Sequence, residues 1–356
     1  MKSRSTFPLA FLTVALLLLH VPLDAQKPKA SKKKPSPPKP ISLVWPLPPE
    51  QPRVKYLALY RGEIDFDRKK ESKFKALLLG PEEAKPMSVL VKPYGVAVNK
   101  EGVLYVTDTV QRKVFVIDPA AKTVGYVGDS GQGKVLKPIG VAVDDEGRVF
   151  VADVSLNRIF GYDADGNLII AIGREGELES PSGLAIDRQR KLLYVADSRK
   201  HVVLCYSSVD GTFVRQVGAP GKDPGLLSFP TNLFVDRQGL VYVADTMNFR
   251  IQIFDQEGKF LKAIGAAGDA PGDFSRPKGV GVDSEGHIYV ADANFHKFQI
   301  VDDEGRALLV IGMPGRDPGE FLLPAGLFID DQDRIYVADQ GNARVQVFQY
   351  LKAPGN

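Results

Sequence analysis

The chain has 356 residues, 44% hydrophobic and 25% charged, with one cysteine and a formal net charge of +3. That length and apolar fraction suffice for one large core or two ordinary ones, and a single cysteine excludes a disulfide framework or a multi-cysteine zinc module. Lys2, Arg4 and Asp24 in the first 25 residues and six lysines in residues 26–40 together account for +7, so residues 41–356 carry −4. A nucleic-acid-binding body would concentrate positive charge on one face, so this distribution argues against a nucleic-acid partner.

Residues 1–25 have the layout of a secretory signal: Lys2 and Arg4, an uncharged apolar run from Leu9 to Leu19, and Leu23-Asp24-Ala25 as a cleavage end. Eleven apolar residues fall short of the roughly 20 a membrane-spanning helix needs, so no transmembrane segment is expected after cleavage. No cysteine follows the run to accept a lipid anchor. Residues 26–52 begin with a lysine- and proline-rich stretch that can bury nothing and reads as an extended linker. The expected location is outside the cytoplasm, periplasmic or extracellular.

From residue 53 to 350 one unit recurs. The sequence Tyr/Phe-Val-(Ala/Thr)-Asp ends at Asp108, Asp153, Asp197, Asp245, Asp292 and Asp339, at steps of 44 to 48 residues. A Pro-x-Gly start precedes five of these, at Pro93, Pro138, Pro181, Pro277 and Pro324; the fourth copy reads Pro230-Thr231-Asn232. Within a copy, short Val/Ile/Phe/Tyr-rich runs alternate with Asp-x-x-Gly turns (Asp144 to Gly147, Asp236 to Gly239, Asp283 to Gly286). A second glycine series stands at Gly166, Gly211, Gly258 and Gly305. The pattern is β chemistry punctuated by residues that accept positive φ, and it predicts four strands per copy.

Repeats of this length with four strands describe propeller blades, each apolar on both faces and buried against its neighbours. The predicted fold is all-β: a six-bladed β-propeller of four-stranded blades. The last copy runs out after its third strand, and Val54 to Gly62 resembles the missing fourth. An N-terminal strand should therefore complete the last blade and close the ring. Residues 63–92 are then an insertion between that strand and the first blade, with a short helix expected from Lys69 to Leu79 and a lid as its expected role. Residues 351–356 form a tail.

The run Val243-Ala-Asp-Thr-Met-Asn-Phe-Arg-Ile-Gln-Ile-Phe-Asp255, followed by Gly258, Ile264-Gly265, Gly268, Gly272-Asp-Phe274 and Pro277, closely resembles the NHL repeat. The resemblance covers residues 93 to 350 in six copies, and residues 45–66 look like the N-terminal extension of exported bacterial NHL-type propellers. It implies a six-bladed propeller serving as a binding or sensing module outside the cytoplasm. Relatives of this kind range from RNA-binding and ligase-associated proteins to receptor-kinase sensor domains and a secreted peptide-amidating lyase, so the fold does not choose a function. The RING and B-box cysteines of the ligase relatives are missing here. The lyase relies on histidine-bound metal, whereas His201, His287 and His296 fall at different ends of two non-adjacent blades.

Six candidate binding residues follow. Arg112, Arg158, Arg250, Lys297 and Arg344 stand four or five positions after a strand-ending aspartate; they are read either as a charged ring on one face or as partners that fix each aspartate's turn. Asn232 replaces the glycine that opens the innermost strand elsewhere and should line the mouth of the central channel. Propellers similar to sugar lactonases place Asn, Asp and Glu there for calcium, but no acids occupy the matching positions 95, 140, 183, 279 and 326. Asn157, Asn248, Asn294 and Asn342 read as left-handed turn formers, Cys205 as a buried small hydrophobe, and Phe229, Phe274 and Phe321 as packing anchors. No catalytic residue, metal ligand or cofactor is expected. The reading is a monomeric, exported binding or scaffold propeller that recognises a protein or cell-envelope component through its inter-blade loops. The alternative is a metal-dependent lyase or lactonase with its site at the channel.

Overall fold

The computed structural model describes residues 43–47, 49–66 and 87–352. They form six antiparallel sheets, five of four strands and one of five. Blades 1 to 5 span residues 93–127, 138–172, 181–217, 230–264 and 277–311, and each runs in simple order from its innermost to its outermost strand. Blade 6 takes Pro324–Ile329, Arg334–Asp339 and Arg344–Tyr350 from the C-terminal part of the chain and Val54–Tyr60 as its fourth strand. The predicted closure is observed, with Val54 opposite Tyr350 and Tyr60 opposite Val345. One strand was not foreseen: Val44–Trp45 adds a fifth to blade 6, from within the stretch read as linker. The short helix expected from Lys69 to Leu79 falls outside the described residues, as do the signal segment and most of the insertion.

The sequence pattern explains the packing. Second strands such as Leu104–Asp108, Val149–Asp153 and Val241–Asp245 are buried at every position because both faces of a blade meet another blade. The core is accordingly a ring of six clusters, each shared by two neighbouring sheets. Outermost strands alternate instead, as in Phe260–Ile264 and Ala307–Ile311. Both glycine series lie at positive φ, for example Gly147 at 78° and Gly258 at 87°, and the Asp of each turn accepts amide hydrogens from its own loop. Cys205 is fully buried, as expected.

The glycine of the Pro-x-Gly start has a second duty: the innermost strands crowd together around the axis. A methyl group on Gly326 would lie 2.5 Å from the Tyr94 carbonyl oxygen, where blade 6 meets blade 1. Hydroxyls bind the same seams, Thr107 donating to the Ile139 carbonyl (2.7 Å), Ser198 to Pro230 (2.6 Å) and Thr246 to Pro277 (2.7 Å). Gly326→Ala is expected to cost about 1–3 kcal/mol through overpacking of main chain that cannot yield, read as a lower denaturant midpoint with unchanged slope.

Two expectations need correction. Phe274 and Phe321 are fully buried anchors, but Phe229 is 41% exposed. The matching loop bridges Pro220–Leu227, Ala267–Phe274 and Pro314–Phe321 show that Leu227 fills the anchor position in blade 4. Of the four asparagines, only Asn157 adopts positive φ. Asn248 and Asn342 instead donate to the Gly221 and Gly315 carbonyls and to Asp245 and Asp339, tying loop to turn.

Candidate functional site

Strand direction divides the disc into two faces. Every innermost strand begins, and every second strand ends, on what we call the upper face, together with the inter-blade loops. The turns between first and second strands lie on the lower face. A cavity of about 760 Å³ runs along the axis between them.

The six strand-ending aspartates are fully buried beneath the upper face and saturated with hydrogen bonds. In blades 1, 2, 3 and 5 the donors are main-chain amides: Asp108 takes Val91 and Lys92 on one side and Val110 and Gln111 on the other. In blades 4 and 6 side chains contribute as well. Arg250 pairs with Asp245 at 2.9 Å and donates to the Asp223 and Leu226 carbonyls; Arg344 pairs with Asp339 at 2.7 Å and donates to Arg316, Asp317 and Glu320 carbonyls. These two arginines are therefore braces that shape loops 218–229 and 312–323. Arg112 and Arg158 are exposed, and Lys297 is half-buried with its ammonium 4.6 Å from the Phe295 ring. The five bases are distributed one per blade and do not converge.

Sequence reasoning missed three further braces. Gln252, Gln299 and Gln346 are fully buried in the third strands of blades 4, 5 and 6. Each side-chain oxygen accepts an amide from the preceding loop (Gly225, Gly272 and Gly319), and each side-chain nitrogen donates to a loop carbonyl. A polar residue recurring at one position of an apolar strand was the available signal, since a buried amide must find partners.

Asn232 lines the channel near its upper end, as expected. Its side-chain oxygen accepts the Leu233 amide at 2.9 Å, and its Cα stands where a methyl on Gly183 would fall, so it fills the seam between blades 3 and 4. Two of the three histidines among the described residues also serve loops: the Nδ1 atoms of His201 and His296 accept the Phe229 and Leu323 amides at 2.8 and 3.0 Å. His287 pairs with Asp283 on the lower face, and that hydrogen bond raises its pKa. Among the described residues no three His, Cys, Asp or Glu side chains are grouped to hold a metal ion.

The x position of Pro-x-Gly supplies the upper rim. It holds Tyr94, Ile139, Ser182, Thr231, Lys278 and Ala325. Lys278 of blade 5 places its ammonium 4.8 Å from the centre of the Tyr94 ring in blade 1. Burial pushes the Lys278 pKa down to about 8, and the charges of Arg276 and Lys92 push in the same direction. Burial raises that of the Tyr94 phenol.

Deeper in the channel Phe234 of blade 4 and Phe328 of blade 6 meet edge to face at 6.3 Å, with Gly281 at the same strand position in blade 5 between them. At the lower end Arg188 of blade 3 reaches Asp331 of blade 6 (3.3 Å), and Arg237 of blade 4 donates to the Asp331 carbonyl (3.0 Å). The lower turns that line the channel carry the acids Asp145, Asp187, Asp236, Asp283, Glu285, Asp330, Asp331 and Asp333 against Lys100, Arg188, Arg237 and Arg334. The cavity is therefore aromatic within and predominantly acidic below, and Lys278 stands at its upper margin against Tyr94, a residue that lines it.

This architecture defines a six-bladed β-propeller built of NHL-type units around a lined axial cavity. Residues 321–348 match the NHL repeat, and residues 235–299 match a family described as a 6-bladed beta-propeller. E3 ubiquitin-protein ligase TRIM32 of Homo sapiens is 44% identical over 45 residues, which is 13% of this chain and 7% of that protein. NHL repeat-containing protein 2 of Gallus gallus is 33% identical over 94 residues, 24% of this chain and 13% of that protein. The matched segments are thus a small part of either curated relative. A protein of unknown function from Bacteroides thetaiotaomicron superposes with a TM-score of 0.60 at 17% identity, covering 83% of this chain and 75% of the other. An auxiliary nutrient binding protein from the same organism gives 0.58 at 14% over 74% and 70%. Virginiamycin B lyase from Staphylococcus aureus gives 0.55 at 12% over 76% and 86%. At these identities the likeness is one of fold.

Proposed function

We propose that this chain is an exported, monomeric binding propeller that docks a protein or cell-envelope partner on its upper face. The observation that carries the reading is an asymmetry between the faces. Val91, Val110, Leu136, Phe229, Met247 and Leu323 are all at least 41% exposed on the upper face, whereas among the described residues the turns of the lower face expose only Leu47 and Val209 to that degree. Exposed apolar and methionine-rich surface is the usual mark of protein docking. The braces described above hold the loops between these residues, which lowers the entropy lost on binding. Export is supported by the leader-like layout of residues 1–25, and no helix among the described residues is long and apolar enough to cross a membrane. The enzymatic alternative finds less support, because His201 and His296 each use Nδ1 to accept a loop amide, His287 pairs with Asp283, and no three such side chains are grouped among the described residues.

The test places a photo-cross-linking residue at Met247, Phe229 or, as a lower-face control, Gln238, in cells of the source organism. The same partner is expected from the two upper positions and not from Gln238. Equal capture from both faces, or stoichiometric calcium or zinc in the purified protein, would overturn the reading in favour of another surface or of the metal-dependent enzyme.

A further inference from the structure

We propose that the axial channel binds a small amphiphilic anion, with its acidic head at the upper rim beside Lys278, Arg276 and Lys92 and its apolar body extending down the channel to Phe234 and Phe328. This goes beyond partner docking and does not depend on it.

Four observations converge. First, Lys278 is the only charged residue among the six at the x position of Pro-x-Gly, and its ammonium lies against Tyr94, two blades on around the ring. Second, the charges acting on its ammonium are those of Arg276 and Lys92, both positive. A half-buried cation among other cations and an aromatic face is a site that lacks its counter-ion, since a desolvated charge is normally paired. Third, Tyr94, beside the Lys278 ammonium, itself lines the cavity, as do Ile139, Phe234 and Phe328, the two phenylalanines meeting edge to face. The Tyr94 and Phe328 positions are three residues apart along equivalent strands, or about 10 Å at the usual rise. The volume of about 760 Å³ falls within the roughly 300–1,000 Å³ of small-molecule sites. Fourth, the acids of the lower turns repel an anionic head from that end, so the gradient of charge along the axis sets the orientation of the ligand. Carboxylate and phosphate heads share this chemistry.

Titration calorimetry on the purified full chain tests the proposal with octanoate, octyl phosphate, 1-octanol and inorganic phosphate. Octanoate or octyl phosphate is expected to bind at least tenfold more tightly than either octanol or inorganic phosphate, and the tighter of the two names the head group. Lys278→Met is expected to weaken that binding about tenfold or more while remaining folded, because the substitution relieves an unpaired charge. Phe234→Ala should remove the gain in affinity between butanoate and octanoate and leave the contribution of the head. Equal binding of octanol and octanoate, equal binding of inorganic phosphate and octyl phosphate, or an unchanged affinity in Lys278→Met would each overturn the proposal. None of these outcomes bears on the cross-linking result, so the two readings fail separately.

Discussion

Lys278→Met is expected to be more stable than the wild type at pH 7, and the advantage should vanish as the pH rises. The lysine titrates at about 8 in the folded chain against 10.5 for the unperturbed side chain. A base whose folded pKa is depressed binds fewer protons folded than unfolded between those values, so stability rises with pH across that window. Below pH 8 the folded state bears the full cost of the charge; above about 10.5 neither state is charged. At 1.36 kcal/mol per unit, the depression corresponds to at most about 3 kcal/mol, and the side chain's partial exposure reduces that to about 1–2 kcal/mol. Methionine keeps the apolar stem's contact with Tyr94 and removes the ammonium. Chemical denaturation of both proteins at pH 7, 8.5 and 10 measures the difference. A variant less stable than wild type at pH 7 would show that an anion of the protein already neutralises Lys278. Together with the binding experiment, a variant more stable than wild type at pH 7 would place Lys278 among residues kept for a ligand at the expense of the free protein.

Deletion of residues 43–60 is expected to abolish a monomeric, cooperatively folded propeller. This segment supplies two strands of blade 6. Val54 and Tyr56 are buried, and Trp45 and Tyr56 each pack edge to face on Phe348, at 5.7 and 5.6 Å between ring centres. Phe348 in turn meets Phe298 of blade 5 at 5.4 Å and Phe321 at 6.1 Å, so the segment covers a cluster that spans two blades. Burying Val54 and Tyr56 contributes about 3–6 kcal/mol, a large part of the roughly 5–15 kcal/mol that holds a domain together. The deletion also bares the Arg344–Tyr350 strand as an unpaired edge, which invites association. Size-exclusion chromatography should show oligomers, thermal unfolding should broaden, and a synthetic peptide of residues 43–60 should restore both. A monomer that melts sharply at the wild-type midpoint would show that the ring closes without this strand.

Much of the fold was legible because each copy repeats the same chemistry. Six Pro-x-Gly starts or their variant, six strand-ending aspartates and two glycine series locate strands and turns without reference to anything distant. The ring closure was legible too, because a blade with three strands leaves an apolar edge and only Val54 to Gly62 had the pattern to cover it. Val44–Trp45 was not, since two residues carry no period. Phe229 misled because an aromatic near a proline looks the same in sequence whether it is buried or, like this one, displaced by Leu227. Asn248 and Asn342 misled similarly: their side chains serve loops some 27 residues away in sequence, and a local propensity argument sees only their own turn.

The candidate site divides along the same line. Sequence alone determined the number of blades, the manner of closure and the position of Asn232 at the channel, because these follow from short-range pattern and from one repeat being stacked on the next. Only the tertiary structure showed that Arg250 and Arg344 are consumed as loop braces, and that Lys278 from blade 5 meets Tyr94 from blade 1. It likewise brought Phe234 and Phe328 together across the channel, and Arg188 and Arg237 onto Asp331. Closing a ring brings residues 94 and 278 into contact although no repeat period relates their chemistry, and what a side chain does at the axis depends on the size and charge of its neighbours around the circle.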